Sequence, residues 1–456
     1  MKTHQLIILT TVLFVTLFYG EEMGLNFGLL GVAYALLTLI HTPEENRTRA
    51  FIMVFVAGIL SSVAFAWYGD FASFLAVFTS LFLLSFKSKN RDLKSLLVIP
   101  VFAVNFVTFI YRFFKFEDWL PKRNMPETLK KVTALFLIPS FFVLVFFGIY
   151  ALGSEHFSGF FSGWEFNFDL WQFIVIGTLG FFIAFNFWNF KVEKFIYSLN
   201  HHFKNDFLNE DKEIPFSGSF LDIDSERMSG VISFVALNLL LLVFILTFNY
   251  EQFVEIPKSP SELSVETHDR VNAVILSIVM AVLVIMFYFK GKFNFDSKAR
   301  SLKLLAKIWI FLNAVLVISA FAKNSEYVFS LGITYKRLGV YAFLVLSFIG
   351  LILTFIKIKH QKTNAFMFNQ MSWYFYGMVL AASFINWGNL ATVYNIRNEK
   401  GTFNFYKSLN YNDEMLIKIY PDEFEKTIKP TEIAKEQNKS FLSRIIYYQT
   451  LKPQNQ

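Results

Sequence analysis

Residues able to do chemistry are scarce in this chain, and four short segments hold most of them. "DSERMSG" brings Glu226 and Arg227 to the start of an apolar run that contains Asn238. "THDR" carries His268, whose imidazole could serve as a base near neutral pH. "GITYKR" combines Gly332, Thr334 and Arg337, and a guanidinium can donate two parallel hydrogen bonds to a carboxylate or phosphate. "NWGNLATVYNIR" holds Asn386, Tyr394, Asn395 and Arg397. With His268 as base and Arg337 as anion anchor, the set would suit an enzyme acting on a lipid or glycan headgroup. The plainer reading of each is helix-end architecture. Arg337 would reach to headgroups, and Ser229-Gly230 and Gly332 would serve as turn or close-packing residues.

Other constellations are weaker. The seven His residues do not cluster, and His201-His202, being adjacent, do not share a helix face. No H-x-x-x-H falls in an apolar run, which argues against a di-iron or haem enzyme, and nothing points to a cofactor. Cys is absent, so disulfides and thiolate metal sites are excluded. Glu21-Glu22 resembles the acidic pair of multi-span lipid-linked glycosyltransferases, but the long loop that follows it there is missing, leaving a solvated turn as the expectation. Apolar runs contain neutral polar residues instead of charges: Asn105, Asn186, Asn189, Asn238, Asn272 and Asn313. These suit hydrogen bonds between helices, with substrate binding as the alternative. A proton-coupled transporter would be expected to bury a carboxylate.

The same four segments, in this order, resemble a bacterial family of multi-pass membrane proteins catalogued only as a domain of unknown function. "DSERMSGVISFVALNLLLLVF" is similar to its acidic–Arg–Ser-Gly opening of an Asn-containing span. "THDRVNAVILSIVMAV" is similar to its His-x-Gly-Val segment, with Arg270 in place of Gly. "LGITYKRLGVY" matches its Gly-Leu-Thr-x-x-Arg at Gly332, Thr334 and Arg337. "NWGNLATVYNIRN" matches at Asn386, Tyr394, Asn395 and Arg397, with Gly388 where the family has Asp. The resemblance covers roughly the C-terminal half. It implies a multi-pass topology and supplies no activity.

What must position these residues is a membrane. Of the 456 residues, 55% are hydrophobic and 17% charged, against about a quarter charged in soluble domains. Sixty are Phe. Twelve apolar segments approach the roughly 20 residues a span requires: Gln5–Tyr19, Gly24–Ile40, Phe51–Tyr68, Phe71–Phe86, Ser95–Phe114, Val132–Leu152, Leu170–Phe190, Val231–Tyr250, Val271–Phe289, Ile308–Phe321, Gly339–Ile358 and Met371–Leu390. The expected fold is an all-α polytopic transmembrane helical bundle of about 11–12 hydrophobic segments. It divides into an N-terminal membrane region (1–220, seven segments), a C-terminal membrane region with five spans (221–390) and a polar tail (391–456). Met1–Tyr19 is expected to be a retained first span and not a cleaved leader.

Cation counts sharpen the topology. If every segment crosses from an inner N-terminus, the inner loops before the tail hold 12 Lys and Arg and the outer loops 20, against the rule that cytoplasmic loops are cationic. If Ser95–Phe114 enters and turns back, aided by Pro100 and Asn105, the split becomes 27 inside and 5 outside. A re-entrant segment buried among helices is permitted. It places the tail outside, together with Lys336 and Arg337. Arg337 is then expected to grip a carboxylate of the acidic loop Glu251–Arg270 or a lipid headgroup. In the tail, helical spacing predicts an ordered segment, with Asn412 and Asp413 as capping residues.

The net charge of +7 fits cationic inner loops resting on anionic lipid and does not require nucleic acid. The expected function is a sensor, scaffold or partner subunit of the bacterial envelope, in the inner membrane, with membrane lipid and another envelope protein as partners. The alternatives are a transporter for a neutral or amphipathic solute and the headgroup-modifying enzyme.

Overall fold

The computed structural model describes residues 1–120, 169–208, 222–254 and 260–451, with isolated positions between 131 and 157. The side chains of 252–253, 260–272 and 292 lie outside that description, as does most of the expected span Val132–Leu152. The protein is all-α; among the described residues no strand forms, only an isolated bridge between Asp206 and Lys362.

The first four helices, α1 (Thr3–Phe18), α2 (Leu25–His41), α3 (Arg49–Tyr68) and α4 (Phe71–Lys89), follow one another through tight turns. The side chains of Thr48 and Asp70 cap α3 and α4 by accepting from the backbone N–H of Phe51 and Ser73. Three short helices come next: α5 (Val98–Val107), α6 (Phe109–Phe114) and α7 (Phe116–Trp119). Then come α8 (Leu170–Trp188), α9 (Lys194–His202), α10 (Ile223–Phe253), α11 (Pro260–Tyr288), α12 (Arg300–Leu331), α13 (Tyr335–Lys359) and α14 (Asn364–Phe384). Among the described residues, six helices have the length and apolarity to cross a membrane: Arg49–Tyr68, Phe71–Lys89, Leu170–Trp188, Ile223–Glu251, Ser297–Leu331 and Tyr335–Lys359. Thr3–Phe18, Leu25–His41 and Ala273–Tyr288 are shorter apolar helices beside them. The chain is a multi-pass helical membrane protein.

Several boundaries differ from the sequence reading. The short segment expected at Ile308–Phe321 is the middle of a 32-residue helix. The segment expected to run from Met371 to Leu390 stops at Phe384, and a new helix starts at Trp387. Asn386 makes that break, its side chain accepting from the N–H of Asn389.

Two of the hydrophobic clusters among the described residues organise the helices. In one, α1, α2 and α8 bury Ile7, Phe14, Tyr34, Phe185 and Trp188 together. In the other, α10 to α13 share Phe234, Ile285, Leu302, Leu316 and Leu344. Helix α14 joins the groups. Its Tyr376 hydroxyl meets Ser80 Oγ at 2.7 Å, and its Asn364 amide donates to the Met286 carbonyl at 3.0 Å.

The segment Ser95–Phe114 does not run through the bundle: it enters and returns at the same end. Helix α5 has ten residues, about 15 Å at 1.5 Å per residue, half the hydrocarbon thickness. The chain breaks at Thr108 and turns back along the last turns of α8. Phe106 packs on Phe182 and Phe113 on Phe181, with ring centroids 5.6 Å apart in each pair. The returning arm reaches the exit of α8, where Lys191 pairs with Asp118 at 2.6 Å.

This fixes which parts share an end. One end holds residues 41–48, the end of α4 and the exit of α8, tied by Asn46 donating to the Ser88 carbonyl and Lys89 to that of Trp188. Thr363 donating to the Lys204 carbonyl and Gln361 to that of Asn294 add the α13–α14 turn and the α11 exit. The opposite end holds the α1–α2 and α3–α4 turns, the start of α8 and the chain after α14: Asp169 N–H donates to Tyr19, and Tyr411 to the Tyr68 carbonyl.

Single cysteines introduced at the exposed positions Arg91, Glu117 and His360 will react with an impermeant maleimide from one side, and one at Glu399 from the other. Reaction of Glu117→Cys from the side of Glu399→Cys would mean that Ser95–Phe114 crosses.

Candidate functional site

The break between α12 and α13 is the best-built polar feature of the structure. Helix α12 ends at Leu331, and Gly332 takes φ +84°, a backbone conformation that side chains rarely adopt. The peptide groups at Ile333 then have no helical partner. Asn395, buried on α15 (Trp387–Arg397), supplies both: its Oδ1 accepts from Ile333 N–H at 2.6 Å and its Nδ2 donates to the Ile333 carbonyl at 2.9 Å. A Cβ at position 332 would lie 2.3 Å from Asn395 Oδ1, so the glycine is also demanded by this close approach.

Thr334 starts α13, its side chain accepting from Arg337 N–H at 3.3 Å. The Arg337 guanidinium donates to the Gly332 carbonyl and lies over the Tyr327 ring at 4.0 Å. Asn324 of α12 donates to the Arg337 carbonyl at 3.2 Å. The sequence reading expected Arg337 to grip a carboxylate of the acidic loop or a headgroup. Its described contacts instead close the turn it belongs to, and the side chains at 255–272 lie outside the described residues.

The chain after α15 locks onto the same place. It forms short helices α16 (Phe403–Lys407), α17 (Asp413–Ile419), α18 (Pro421–Glu425), α19 (Lys429–Gln437) and α20 (Ile446–Thr450). Their core is Tyr406, Leu416, Phe424, Ile433, Ile445, Tyr447 and Leu451. Asp413 and Lys429 pair inside this cap at 3.0 Å, both largely buried. Asn386 donates to the Tyr411 carbonyl at 2.9 Å, and Tyr335 accepts from Asn410 N–H at 3.1 Å. At Gly388 a Cβ would sit 1.9 Å from the Asn410 carbonyl oxygen, so the cap occupies the space an aspartate would need. Asn412 does not cap a helix through its side chain as expected; it donates to Thr392 Oγ1 at 2.6 Å and to the Tyr406 carbonyl at 2.8 Å. Tyr394 is half-buried beside Ile333 and Leu409, and Arg397 is exposed in the last turn of α15.

Sequence reasoning missed the partner of Glu21-Glu22, expected to be a solvated turn. Glu21 accepts from the hydroxyls of Ser440 and Ser443. Glu22 pairs with Lys439 at 2.9 Å, and its N–H donates to Ser443 Oγ at 2.8 Å. Leu25 N–H donates to the Arg444 carbonyl at 2.9 Å. The only signal was compositional: "KSFLSR" is a run of hydroxyls between two cations.

The remaining residues lie elsewhere. Glu226 is half-buried in the first turns of α10. Arg227 bridges Asp224 and Asp296, the latter at 2.9 Å. This cluster faces the α11–α12 turn, at the end opposite the cap. Asn238 donates to the Leu305 carbonyl of α12 at 3.1 Å, and Asn313 to its own helix at Trp309, 2.8 Å away. His268 belongs to α11, but its side chain lies outside the described residues. No group of His, Asp and Glu among the described residues is placed to hold a metal ion. The four segments therefore do not form one site: two interlock under the cap and one lies at the far end.

A family model described as Domain of unknown function (DUF4153) matches residues 50–411. The chain belongs to this family. The DUF4153 match takes in far more than the C-terminal half that the four segments suggested. It ends at the first cap residues, so both sides of the Glu21-Glu22 contact with 439–444 lie outside the matched range. Comparisons with curated proteins and with solved structures give no match.

Asn395→Ala would leave two buried backbone groups unpaired, each worth about 1–3 kcal/mol. Thermal unfolding in detergent should show a clear loss of stability, with Asn395→Asp, which keeps the acceptor, falling between. Arg337→Lys should cost more stability than Lys336→Ala, because a lysine cannot both stack on Tyr327 and reach Gly332 in the same way. Equal tolerance of the two would leave Arg337 a generic charge.

The bond from Lys439 and its charge hold the Glu22 carboxyl below its usual range. Glu22 binds fewer protons folded than unfolded, so its stabilisation is present above the ordinary glutamate pKa and is lost as pH falls through the lower folded value. Protease cutting of the cap should rise on acidification, and Glu22→Gln should flatten that dependence. An unchanged acid response in Glu22→Gln would remove this ion pair from cap docking.

Proposed function

We propose that this DUF4153 protein is a sensor, scaffold or partner subunit of the bacterial inner membrane, with its N-terminus in the cytoplasm and its cap on the outer face. The cation-rich end suits the cytoplasm, since Lys and Arg there resist translocation. The cap end carries few cations before the tail, and its first loop is acidic. The observation that carries the reading is the bridging role of the cap. Through Ser440, Ser443 and Lys439 it holds the α1–α2 turn, and through Asn410 and Tyr411 it holds α13 and the α3–α4 turn. A folded module tied to helices of both core groups suits transmission or assembly better than turnover of a substrate. Its exposed Ile428 and Phe441 offer apolar contact points to another envelope protein.

Transport of a neutral or amphipathic solute is the second reading, favoured by an apolar cavity between α4, α5 and α14. Against it, the amides of Asn105, Asn186, Asn238 and Asn313 donate to backbone carbonyls.

Photo-crosslinking residues at Ile428 and Phe441, in cells, should give a discrete adduct with one envelope protein, while the same probes at Arg91 or His360 should not. Solute flux in reconstituted vesicles without any cap adduct would favour the transporter.

A further inference from the structure

An apolar cavity lies on the outer flank of the re-entrant hairpin. It has a volume of about 630 Å³ and is lined by Phe78 and Phe82 of α4, Ile99, Phe102 and Phe106 of the hairpin, and Tyr376 of α14, among others. We propose that this groove holds one acyl chain of a phospholipid from the leaflet at the cation-rich end.

Depth is the first argument. The groove follows α14 from Phe368 and α4 back to Phe78, and its hairpin wall ends at Phe106, one residue before α5 ends. It therefore spans about half the bilayer, the reach of one leaflet. A spanning helix from another protein needs roughly 20 residues of uninterrupted surface, and the hairpin wall stops short of that.

Polarity is the second. Away from Ser95 at the mouth, the hydroxyls of the lining are already bonded: Thr79 to the Leu75 carbonyl at 2.7 Å, Ser372 to that of Asn369 at 2.9 Å, and Tyr376 to Ser80 at 2.7 Å. The depth of the groove thus asks for hydrocarbon, and its bonded hydroxyls leave little for a polar solute. The aromatic rings of Phe82, Phe102 and Phe106, with centroids 4.4 to 6.3 Å apart, give such a chain a continuous apolar wall.

The mouth supplies the third. Ser95 lines the groove where the chain leaves the cation-rich end, and its neighbour Lys94 is half-buried with no ion pair among the described residues. An ammonium at headgroup depth suits the phosphate of a lipid whose chain enters there.

The full-length protein, reconstituted in phosphatidylethanolamine and phosphatidylglycerol vesicles, would be photolysed with a trace of phosphatidylglycerol carrying a diazirine in its acyl chain. Adducts should concentrate on Phe102, Phe106 and Val379, several-fold above exposed lipid-facing controls such as Leu239 and Leu240. Ala103→Trp fills the groove from an exposed lining position. It should bring those adducts down to the control level, while Val107→Trp, exposed outside the groove, should not. If Ala103→Trp fails to fold, Ile99→Trp makes the same test from another exposed lining position. Uniform labelling of all lipid-facing positions, adducts unaffected by both filling variants, or a second polypeptide crosslinked at Phe102 or Phe106 would each overturn the assignment. The cap and its adducts at Ile428 and Phe441 are probed by none of these measurements, so failure of the groove assignment is distinguishable from failure of the proposed function.

Discussion

At the α12–α13 break, at the hairpin and at the end of α11, this chain leaves helix-end backbone groups without helical partners, and the structure depends on side chains from distant segments to bond them. An unpaired carbonyl or N–H in that setting costs several kcal/mol. At the α12–α13 break the debt falls on Ile333 and is met by Asn395, some 60 residues later. At the hairpin the exit carbonyls of α8 are met by Arg112, which donates to Asn189 at 2.6 Å, and by Lys89, which donates to Trp188 at 2.5 Å. Asn105 bonds both the N–H and the carbonyl of Lys191, at 2.8 Å each. Lys357 does the same for the end of α11, donating to Phe289 at 2.7 Å.

The cation-rich end is thus more than a label of sidedness. Helix C-termini carry free carbonyls and partial negative charge, and a cation is the strongest donor that can be placed there. The cations of these loops close the helices they join. At the opposite end amides and hydroxyls do much of this work, with Asn395 on Ile333 and Ser440 and Ser443 on Glu21, beside two cations, Arg337 on the Gly332 carbonyl and Lys439 on Glu22. The helix loops at this end carry few cations of their own, and the acids of the first loop receive the docked module.

Much of this fold was legible in the residues because its strongest signals are compositional. Apolar runs located the helices, and the uneven Lys and Arg counts singled out Ser95–Phe114. In the structure that segment breaks at Thr108 and is gripped against α8 by Asn105 and Arg112. Helix ends were less legible. Asn386 ends one helix inside an apolar run, and α12 extends through Lys323 and Asn324 because both are buried against neighbours. Among the candidate site residues, Gly332, Thr334, Arg337, Asn386 and Asn395 were found by pattern, but their role as mutual clamps was not. Nothing at a spacing of 62 residues says that an amide will face a peptide. Gly388 looked like a loss of the family's aspartate, and only the nearby Asn410 carbonyl explains it. The contact of Glu21 with Ser440 and Ser443 joins opposite ends of the chain and leaves no periodic trace.

The central claim is that the last folded segment sits on the α1–α2 turn, at the end away from the cationic loops. A double variant, Glu21→Cys with Ser440→Cys, tests it directly in a chain that has no other cysteine. In sealed membranes under mild oxidation the account predicts an intramolecular crosslink that forms without detergent and that an impermeant reductant added outside the cell breaks. No crosslink, or one that only a membrane-permeant reductant can break, would contradict it.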